Sequence, residues 1–202
     1  PGKACPKIQR YPVLMNIIVK TSSSKYIVRP DTTWERDNED FFPPEFVDSL
    51  SYTPVLFARI SKPGRSVSEK FASRYYDGVG YGMLLYPEDM LGAAEEDFAC
   101  ASCLDHTSFL PFPVYLPIVL GKEDNLFRLF KGDSVLFETA EGTREMIENA
   151  ISEASKYIYF RSGDILAIEL KPRELLCRRE DGTVDVSATF CKNKTIEFKI
   201  SF

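Results

Sequence analysis

The sequence predicts an α+β domain that is rich in β-structure, with several packed β layers and two or three short helices. Hydrophobic residues make up 44% of the 202 residues and charged residues 27%, so the chain can bury a proper core. Thirteen prolines and eleven glycines are spread along it. This spacing of turn residues divides the chain into many short elements, which favours sheets over a helical bundle.

The N-terminal part is expected to be an arm followed by a hairpin. Residues Pro1–Pro12 show little periodicity and are expected to form a loose arm. Leu14–Lys20 and Lys25–Arg29 are β-prone segments on either side of the polar turn Thr21–Ser24. We therefore divide the chain into an arm and hairpin, residues 1–28, and a main domain, residues 29–202. Since no linker separates them, the whole is expected to be one globular unit.

The centre of the chain predicts a strand, a helix and a second strand. Ser51–Ile60 is strongly apolar, but Pro54 lacks a ladder donor and predicts an edge position or a bulge. Val67–Tyr76 predicts a helix with Ser66 as its N-cap. Val79–Tyr86 then predicts an apolar strand.

The second half of the chain continues the pattern of short strands around one good helix. The helix is predicted over Thr143–Tyr159, where apolar residues recur at three- and four-residue spacing. The other predicted elements are a loose helix at Glu88–Phe98, a proline-broken β segment at Phe109–Leu120, a hairpin formed by Leu126–Phe130 and Ser134–Glu138, a strand at Gly163–Leu170, and two or three strands between Leu175 and Phe202.

Composition and charge argue against several classes of function. The formal net charge of −5 and the pI near 5.1 disfavour a nucleic-acid surface, which needs a basic face. No apolar run approaches the length of a membrane span, and no signal peptide is seen, so we expect a cytoplasmic protein without a membrane partner. Five cysteines, an odd number, favour free thiols over a disulfide framework.

Few residue patterns in the chain suggest a chemical site. Cys100 and Cys103 with His106 have the spacing of half a zinc site or of a redox motif, although two unpaired thiols and a loop histidine are the simpler interpretation. His106 is the only histidine and follows Asp105 directly. Glycines at Gly78–Gly82 precede a strand, so they cannot present a helix N-terminus to phosphate.

Several motifs together resemble the fumarylacetoacetate hydrolase superfamily. They are Arg29-Pro-Asp-Thr32, Phe42-Pro-Pro44, Ser51-Tyr52 before an apolar strand, Lys62-Pro-Gly-Arg-Ser-Val67, Glu69-Lys-Phe-Ala-Ser-Arg-Tyr-Tyr-Asp77 and Ser162-Gly-Asp-Ile-Leu166. The resemblance covers roughly residues 29–170 and is most specific over 62–90. It implies a mixed β fold, usually dimeric, that binds Mg²⁺, Mn²⁺ or Ca²⁺. The implied activity is hydrolysis, decarboxylation, hydration or isomerisation of keto- and diketo-acids.

The departures from the family pattern affect its metal site most. The family's Glu-x-Glu and aspartate ligands match Thr53, Val55 and Leu84, which cannot hold a hard cation that needs anionic or carbonyl oxygens. The substrate-gripping arginine matches Glu88, and a family lysine matches Ser102. The aspartate that follows that lysine is kept as Asp105. We therefore expect no metal cofactor.

Three hypotheses of function remain. The first is a binding or interaction protein without metal-dependent hydrolysis, acting as a homodimer or as the partner of an active homologue. The second is a divergent hydrolase, isomerase or lyase for a small keto- or diketo-acid, with Glu88, Asp89, Asp105 and His106 as candidates for its cleft. The third is a thiol-based metal or redox role at Cys100 and Cys103. The sequence leaves open whether a carboxylate from Glu35–Asp40 replaces the lost ligands.

Overall fold

Two β-sheets and three helices make up residues 15–202, the part of the chain that the computed structural model describes. The arm expected over Pro1–Pro12 lies outside these residues. The helices are α1 (Glu69–Ala72), α2 (Glu95–Ala101) and α3 (Arg144–Ala154). The strands are β1 (Asn16–Lys20), β2 (Tyr26–Pro30), β3 (Trp34–Glu35), β4 (Ser49–Ile60), β5 (Tyr76–Pro87), β6 (Ser108–Phe109), β7 (Phe127–Lys131), β8 (Ser134–Thr139), β9 (Ile165–Glu169), β10 (Glu174–Arg178), β11 (Thr183–Phe190) and β12 (Asn193–Ser201).

The larger sheet has the order β2-β1-β9-β4-β5-β6-β3, and β10 also pairs with β4. Its pairings are antiparallel except for β1 with β9 and β3 with β6, which are parallel. The smaller sheet has the order β12-β11-β7-β8 and is antiparallel throughout. This mixed, β-rich architecture confirms the predicted fold class.

Strands β4 and β5 form the centre of the larger sheet. They pair along nearly their whole length, with Leu50 opposite Pro87 at one end and Ala58 opposite Val79 towards the other. The expectation that Pro54 marks a sheet edge or a bulge is wrong. Pro54 lies in a central strand, but between the stretch paired with β9, which starts at Val55, and the stretch paired with β10, which ends at Tyr52. The missing donor therefore costs no ladder bond.

Both faces of the larger sheet are buried. One face packs against the smaller sheet and α3, and its side chains include Leu56, Ala58, Met83 and Leu166. The other, which we call the second face, is covered by loops and α2. Its buried side chains are Met15, Ile17, Val19, Val55, Phe57, Leu84, Tyr86, Leu110, Ile165 and Ala167. Burial on both sides explains why β4 and β5 are almost continuously apolar.

Arg29 connects several elements of the second face through hydrogen bonds. Its side chain is fully buried, and all five of its N–H groups donate hydrogen bonds. Nε donates to Ser102 O at 2.9 Å, Nη1 to Thr107 O at 3.2 Å and Ser108 Oγ at 2.8 Å, and Nη2 to Leu85 O at 2.8 Å and Thr107 Oγ1 at 3.3 Å. One side chain from β2 thereby fixes the end of β5 and the whole connection from α2 to β6.

The predicted helices exist but are shorter than expected. Helix α3 begins after Thr143, whose side chain accepts the N–H of Met146, and ends at Ala154 instead of Tyr159. It stops there because Ser155 turns to the 66–67 segment: its carbonyl accepts the N–H of Ser66 and its hydroxyl that of Val67, both at 2.8 Å.

Two other regions correct the predictions. Helix α1 covers only Glu69–Ala72, because β5 already begins at Tyr76, and the residue before it is Ser68 instead of the expected N-cap Ser66. The loose helix at Glu88–Phe98 is a 3₁₀ turn at Glu88–Met90 followed by α2.

The β segment expected at Phe109–Leu120 is mostly irregular. Its strand β6 ends at Phe109, and beyond it a single bridge joins Tyr115 to Val79 before a 3₁₀ turn. Its prolines remove the donors that a longer ladder would need. The remaining hairpin and strand predictions are confirmed, and none of the helices within residues 15–202 is long and apolar enough to cross a bilayer.

Replacing Arg29 tests this central role. We expect Arg29→Met to lower the free energy of unfolding by about 3 kcal/mol or more, because it leaves several buried acceptors without donors. Urea denaturation followed by circular dichroism measures the change. The matched control is Arg128→Met, which removes an exposed ion pair with Glu138 and should cost about 1 kcal/mol at most. Equal losses in the two variants would show that the buried network is not important for stability.

Candidate functional site

The three positions that the sequence resemblance predicts to correspond to the family's metal ligands lie together on the second face. Thr53 on β4 is directly opposite Leu84 on β5, and Val55 is two residues further along β4, opposite Gly82. Side chains two residues apart in a strand point to the same face. The three positions therefore meet in the way that ligands of one ion would have to meet.

The side chains at these positions do not suit a cation. Thr53, Val55 and Leu84 are each fully buried. Val55 and Leu84 belong to the apolar cluster of the second face, and Thr53 Oγ1 donates to Lys171 O at 2.8 Å. A hard cation needs six or more oxygen ligands, several of them anionic. The donor set of these three residues therefore does not fit Mg²⁺, Mn²⁺ or Ca²⁺.

Tyr86 lies two residues after Leu84 on β5 and belongs to the same buried cluster. Its ring is buried, stacks on Phe98 with centroids 5.6 Å apart, and lies 4.7 Å from the Arg29 guanidinium and 5.1 Å from that of Arg173. Its hydroxyl donates to Glu169 Oε1 at 2.9 Å. Burial, the largest cause, raises the pKa of Tyr86 well above its ordinary value, so the phenol stays protonated and acts as a packing and hydrogen-bonding group.

Ser102, which the resemblance matches to a family lysine, has a structural role. Its hydroxyl donates to Phe98 O at 2.7 Å, and its carbonyl accepts Nε of Arg29. The side chain is buried. It therefore belongs to the connection that holds α2 against the sheet and offers no group to a substrate.

Glu88 and Asp89 lie in the 3₁₀ turn after β5, and both are exposed. Asp89 Oδ2 accepts the N–H groups of Asp48 at 2.8 Å and Ser49 at 3.0 Å, which anchors the start of β4. Partial burial acts to raise the pKa of Asp89, but these hydrogen bonds outweigh it and lower the pKa. A carboxylate with a lowered pKa is a weak base, which makes Asp89 a poor general base.

Asp89 also borders an open depression of about 560 Å³. The residues that line it are Asp48, Ser49, Asp89, Arg178, Arg179 and Glu180. Arg179 is occupied there by Asp48, through its Nε at 2.6 Å, and by three backbone carbonyls. A second depression, of about 330 Å³, is lined by Ser73, Tyr76, Leu116, Pro117, Ile118, Arg144 and Glu148.

The structure places Asp105 and His106 in a different environment from Glu88 and Asp89. Asp105 is exposed in the turn after α2. His106 Nδ1 lies 3.0 Å from Oε2 of Glu35, a buried residue at the end of β3. Asp89 contacts the start of β4, and the contact that His106 makes is with a carboxylate from the Glu35–Asp40 stretch. Sequence reasoning noted that stretch but had no signal for the pairing, because β3 and β6 are two residues long.

The two thiols of Cys100 and Cys103 are exposed at the end of α2. Cys103 Sγ contacts Ala99 O at 3.2 Å. Within residues 15–202, the side chains whose ligand atoms converge closely enough to hold an ion are Glu35, Glu39 and His106, and neither thiol belongs to this group. The half zinc site suggested by the spacing of Cys100, Cys103 and His106 is therefore not assembled.

Comparison with solved structures identifies the fold. A fumarylpyruvate hydrolase from Pseudomonas aeruginosa in complex with Mn²⁺ and pyruvate matches with a TM-score of 0.76 and 11% identity, over 97% of this chain and 93% of that chain. A Yersinia pestis CO92 protein assigned to the fumarylacetoacetate hydrolase family matches with a TM-score of 0.76 and 16% identity, over 94% and 93%. An Escherichia coli protein assigned as an isomerase gives 0.76 and 15%, over 94% and 93%.

These likenesses confirm the family resemblance at the level of the fold. The chain has the fold of fumarylacetoacetate hydrolase family proteins, and the matching structures include hydrolases and isomerases. No family model and no curated protein matches the sequence.

The environments of the thiols lead to a testable difference in reactivity. Burial, the largest cause, raises the pKa of Cys177 to about 12, whereas Cys100 and Cys103 are exposed. Because the thiolate is the reactive form, iodoacetamide should alkylate Cys100 and Cys103 of the native protein far faster than Cys177. Peptide mass spectrometry after timed labelling measures this, and a urea-unfolded sample is the control in which the rates should become similar. Rapid native labelling of Cys177 would contradict its burial.

Proposed function

We propose that this protein holds no metal at Thr53, Val55 and Leu84, that it has a binding or interaction role and that it does not carry out metal-dependent hydrolysis. The observation that supports this most directly is the burial of Thr53, Val55 and Leu84 and the lack of anionic metal-binding atoms in their side chains. These positions converge on one face as metal ligands would, yet they are fully buried and carry one hydroxyl between them.

The physical argument concerns the cost of burying charge. Three carboxylates at these positions would need a cation to remain buried, since an unpaired buried charge costs several kcal/mol. Without the cation, apolar residues of similar size are the stable solution for the same space. Replacement of all three positions together is therefore what loss of the ion would favour, and it removes the Lewis acid that would polarise a substrate carbonyl.

The alternative, a divergent hydrolase, isomerase or lyase for a small keto- or diketo-acid, would have to use other groups. Of its candidates, Asp89 contacts the start of β4 and His106 contacts Glu35. Both side chains are therefore engaged in contacts with other parts of the fold, and Asp89 has a lowered pKa. The structures that share the fold include enzymes, so this alternative is the result to look for in the test.

An interaction role is supported by large apolar side chains on the surface. Phe42 and Leu116 are each 69% exposed, Ile118 is 58% exposed and Tyr157 is 75% exposed. Of these, Leu116 and Ile118 line the second depression together, and exposed apolar side chains that form one patch often belong to a contact with a partner. A second copy of the chain or an active homologue would meet this description.

Calorimetry with Mg²⁺ and oxalate tests the proposal. We expect chelator-treated protein to show no Mg²⁺-dependent binding of oxalate, a small analogue of the keto-acid group, even at millimolar Mg²⁺. The positive control is the Pseudomonas aeruginosa fumarylpyruvate hydrolase, whose structure holds Mn²⁺ and pyruvate, titrated in the same way with Mn²⁺. Hydrolysis of an acylpyruvate is measured in parallel and should also be absent. Tight one-to-one binding of Mg²⁺ and oxalate, or turnover that depends on Mg²⁺, would overturn the proposal and favour the enzyme.

A further inference from the structure

Three potential metal ligands meet at the edge of the larger sheet, away from the family's ligand positions. They are Glu35, Glu39 and His106, and one ligand atom from each lies within 4.8 Å of the other two. Glu35 and His106 are 71 residues apart in the sequence. They are brought together because β3 and β6 pair in parallel, with Glu35 opposite Phe109. The folded sheet therefore assembles this group.

Glu35 organises the group from a buried position. Its side chain is 5% exposed, and Oε1 accepts the N–H of Asp37 at 2.8 Å and that of Glu39 at 3.3 Å. These two bonds fold the 36–39 segment back over the carboxylate, which returns the side chain of Glu39 to the same place. Oε2 is left to face His106 Nδ1 at 3.0 Å. The backbone of His106 is held too, since its N–H donates to Thr32 O at 3.2 Å.

The spacing is close to what a first-row divalent ion needs. Zinc binds histidine nitrogen and carboxylate oxygen at about 2.0–2.2 Å, so two ligands of a tetrahedral ion lie about 3.3 Å apart. The observed 3.0 Å between Glu35 Oε2 and His106 Nδ1 would have to widen by only a few tenths of an ångström. Glu39 and His106 are exposed, so both side chains can adjust and an ion can enter from solvent.

The charged groups around His106 also favour the binding of a cation. Two carboxylates face one imidazole, whose side chain is 56% exposed. Of the neighbouring acids, Asp37 pairs with Arg36 at 2.9 Å, and Asp40 accepts the N–H of Lys199 at 2.8 Å. Those two acids are therefore engaged elsewhere, and Glu35 and Glu39 are the negative groups that an ion at His106 would meet.

We propose that Glu35, Glu39 and His106 form a binding site for a divalent transition-metal ion of the zinc or manganese type. An imidazole with two carboxylates is the ligand set of such ions, whereas Mg²⁺ and Ca²⁺ prefer oxygen alone. Three protein ligands leave coordination positions open to water or to a small anion. The site is separate from Thr53, Val55 and Leu84. Strand β6 lies between β3 and β5, so the backbones of β3 and β5 are about 10 Å apart.

The test uses a protein without the competing thiols. Cys5, Cys100 and Cys103 are changed to serine, because thiols also bind zinc. The chelator-treated Cys5→Ser/Cys100→Ser/Cys103→Ser protein is titrated with ZnCl₂ by calorimetry, and with MnCl₂ by electron paramagnetic resonance. We expect one ion per chain. Glu39→Gln and His106→Ala, introduced separately, should each weaken binding by about tenfold or more.

The variants are chosen so that a loss of binding is not confused with unfolding. Glu39 is exposed, so Glu39→Gln should leave the thermal midpoint of the metal-free protein nearly unchanged. His106→Ala removes the partner of the buried Glu35 Oε2 and should lower the midpoint somewhat, and replacing Glu35 itself would disturb the loop. The matched control is Glu45→Gln, an exposed glutamate on the next loop that should bind the ion like the parent. Failure of both ions to bind at millimolar concentration, or binding that both ligand variants leave unchanged, would overturn this proposal.

Oxalate separates this proposal from the one above. If oxalate binding depends on Mn²⁺ and disappears in Glu39→Gln, the ion lies at the edge site and the metal-free interpretation of Thr53, Val55 and Leu84 stands. If it persists in Glu39→Gln and His106→Ala, the ion lies elsewhere, which would count against both proposals.

Discussion

The second face of the larger sheet depends on one buried guanidinium. Arg29 gives all five of its N–H groups to Ser102, Thr107, Ser108 and Leu85, so that β2, β5 and the α2–β6 connection become one body. Burial lowers the pKa of Arg29, yet an arginine remains charged in proteins, so the carbonyl dipoles around it must compensate the charge. The need to surround this buried charge with carbonyl groups explains why the α2–β6 connection lies close to the sheet.

The same constraint bears on Thr53, Val55 and Leu84, the positions that the resemblance predicts to correspond to the family's ligands. Arg29 lies 4.7 Å from the Tyr86 ring, and Tyr86 stacks on Phe98 of α2, which covers the region beside Leu84. Glu169 is a negative group close enough to act on this guanidinium, and it also accepts the Tyr86 hydroxyl. A cation at Thr53, Val55 and Leu84 would add a second buried positive charge to this core without a carboxylate ligand from those three residues. Apolar packing beside a buried arginine whose N–H groups are all hydrogen-bonded avoids that cost.

The sequence was informative where a signal is local or periodic. The apolar runs of β4 and β5, the hairpin of β7 and β8, and the capped, periodic α3 could all be predicted, and the motif around Tyr52 placed Thr53 and Val55 on the right strand. The predictions were wrong where the end of an element or the place of a residue is set by a contact with a part of the chain that is distant in sequence. Helix α3 stops at Ala154 because Ser155 binds the 66–67 segment, and Pro54 is tolerated because two neighbouring strands leave a gap beside it. Neither arrangement gives a recognisable pattern in the amino-acid sequence.

The candidate sites also show that contacts between distant residues could not be predicted from the sequence. Residue identity was enough to see that Thr53, Val55 and Leu84 are poor ligands, since that judgement depends only on which atoms they carry. The pairing of Glu35 with His106 depends on two strands of two residues each, too short to give a period, and on backbone N–H groups that bring Glu39 back to Glu35. The chemistry of single residues can therefore be judged from the sequence, while the grouping of Glu35, Glu39 and His106 at a sheet edge becomes visible only once the strands are paired.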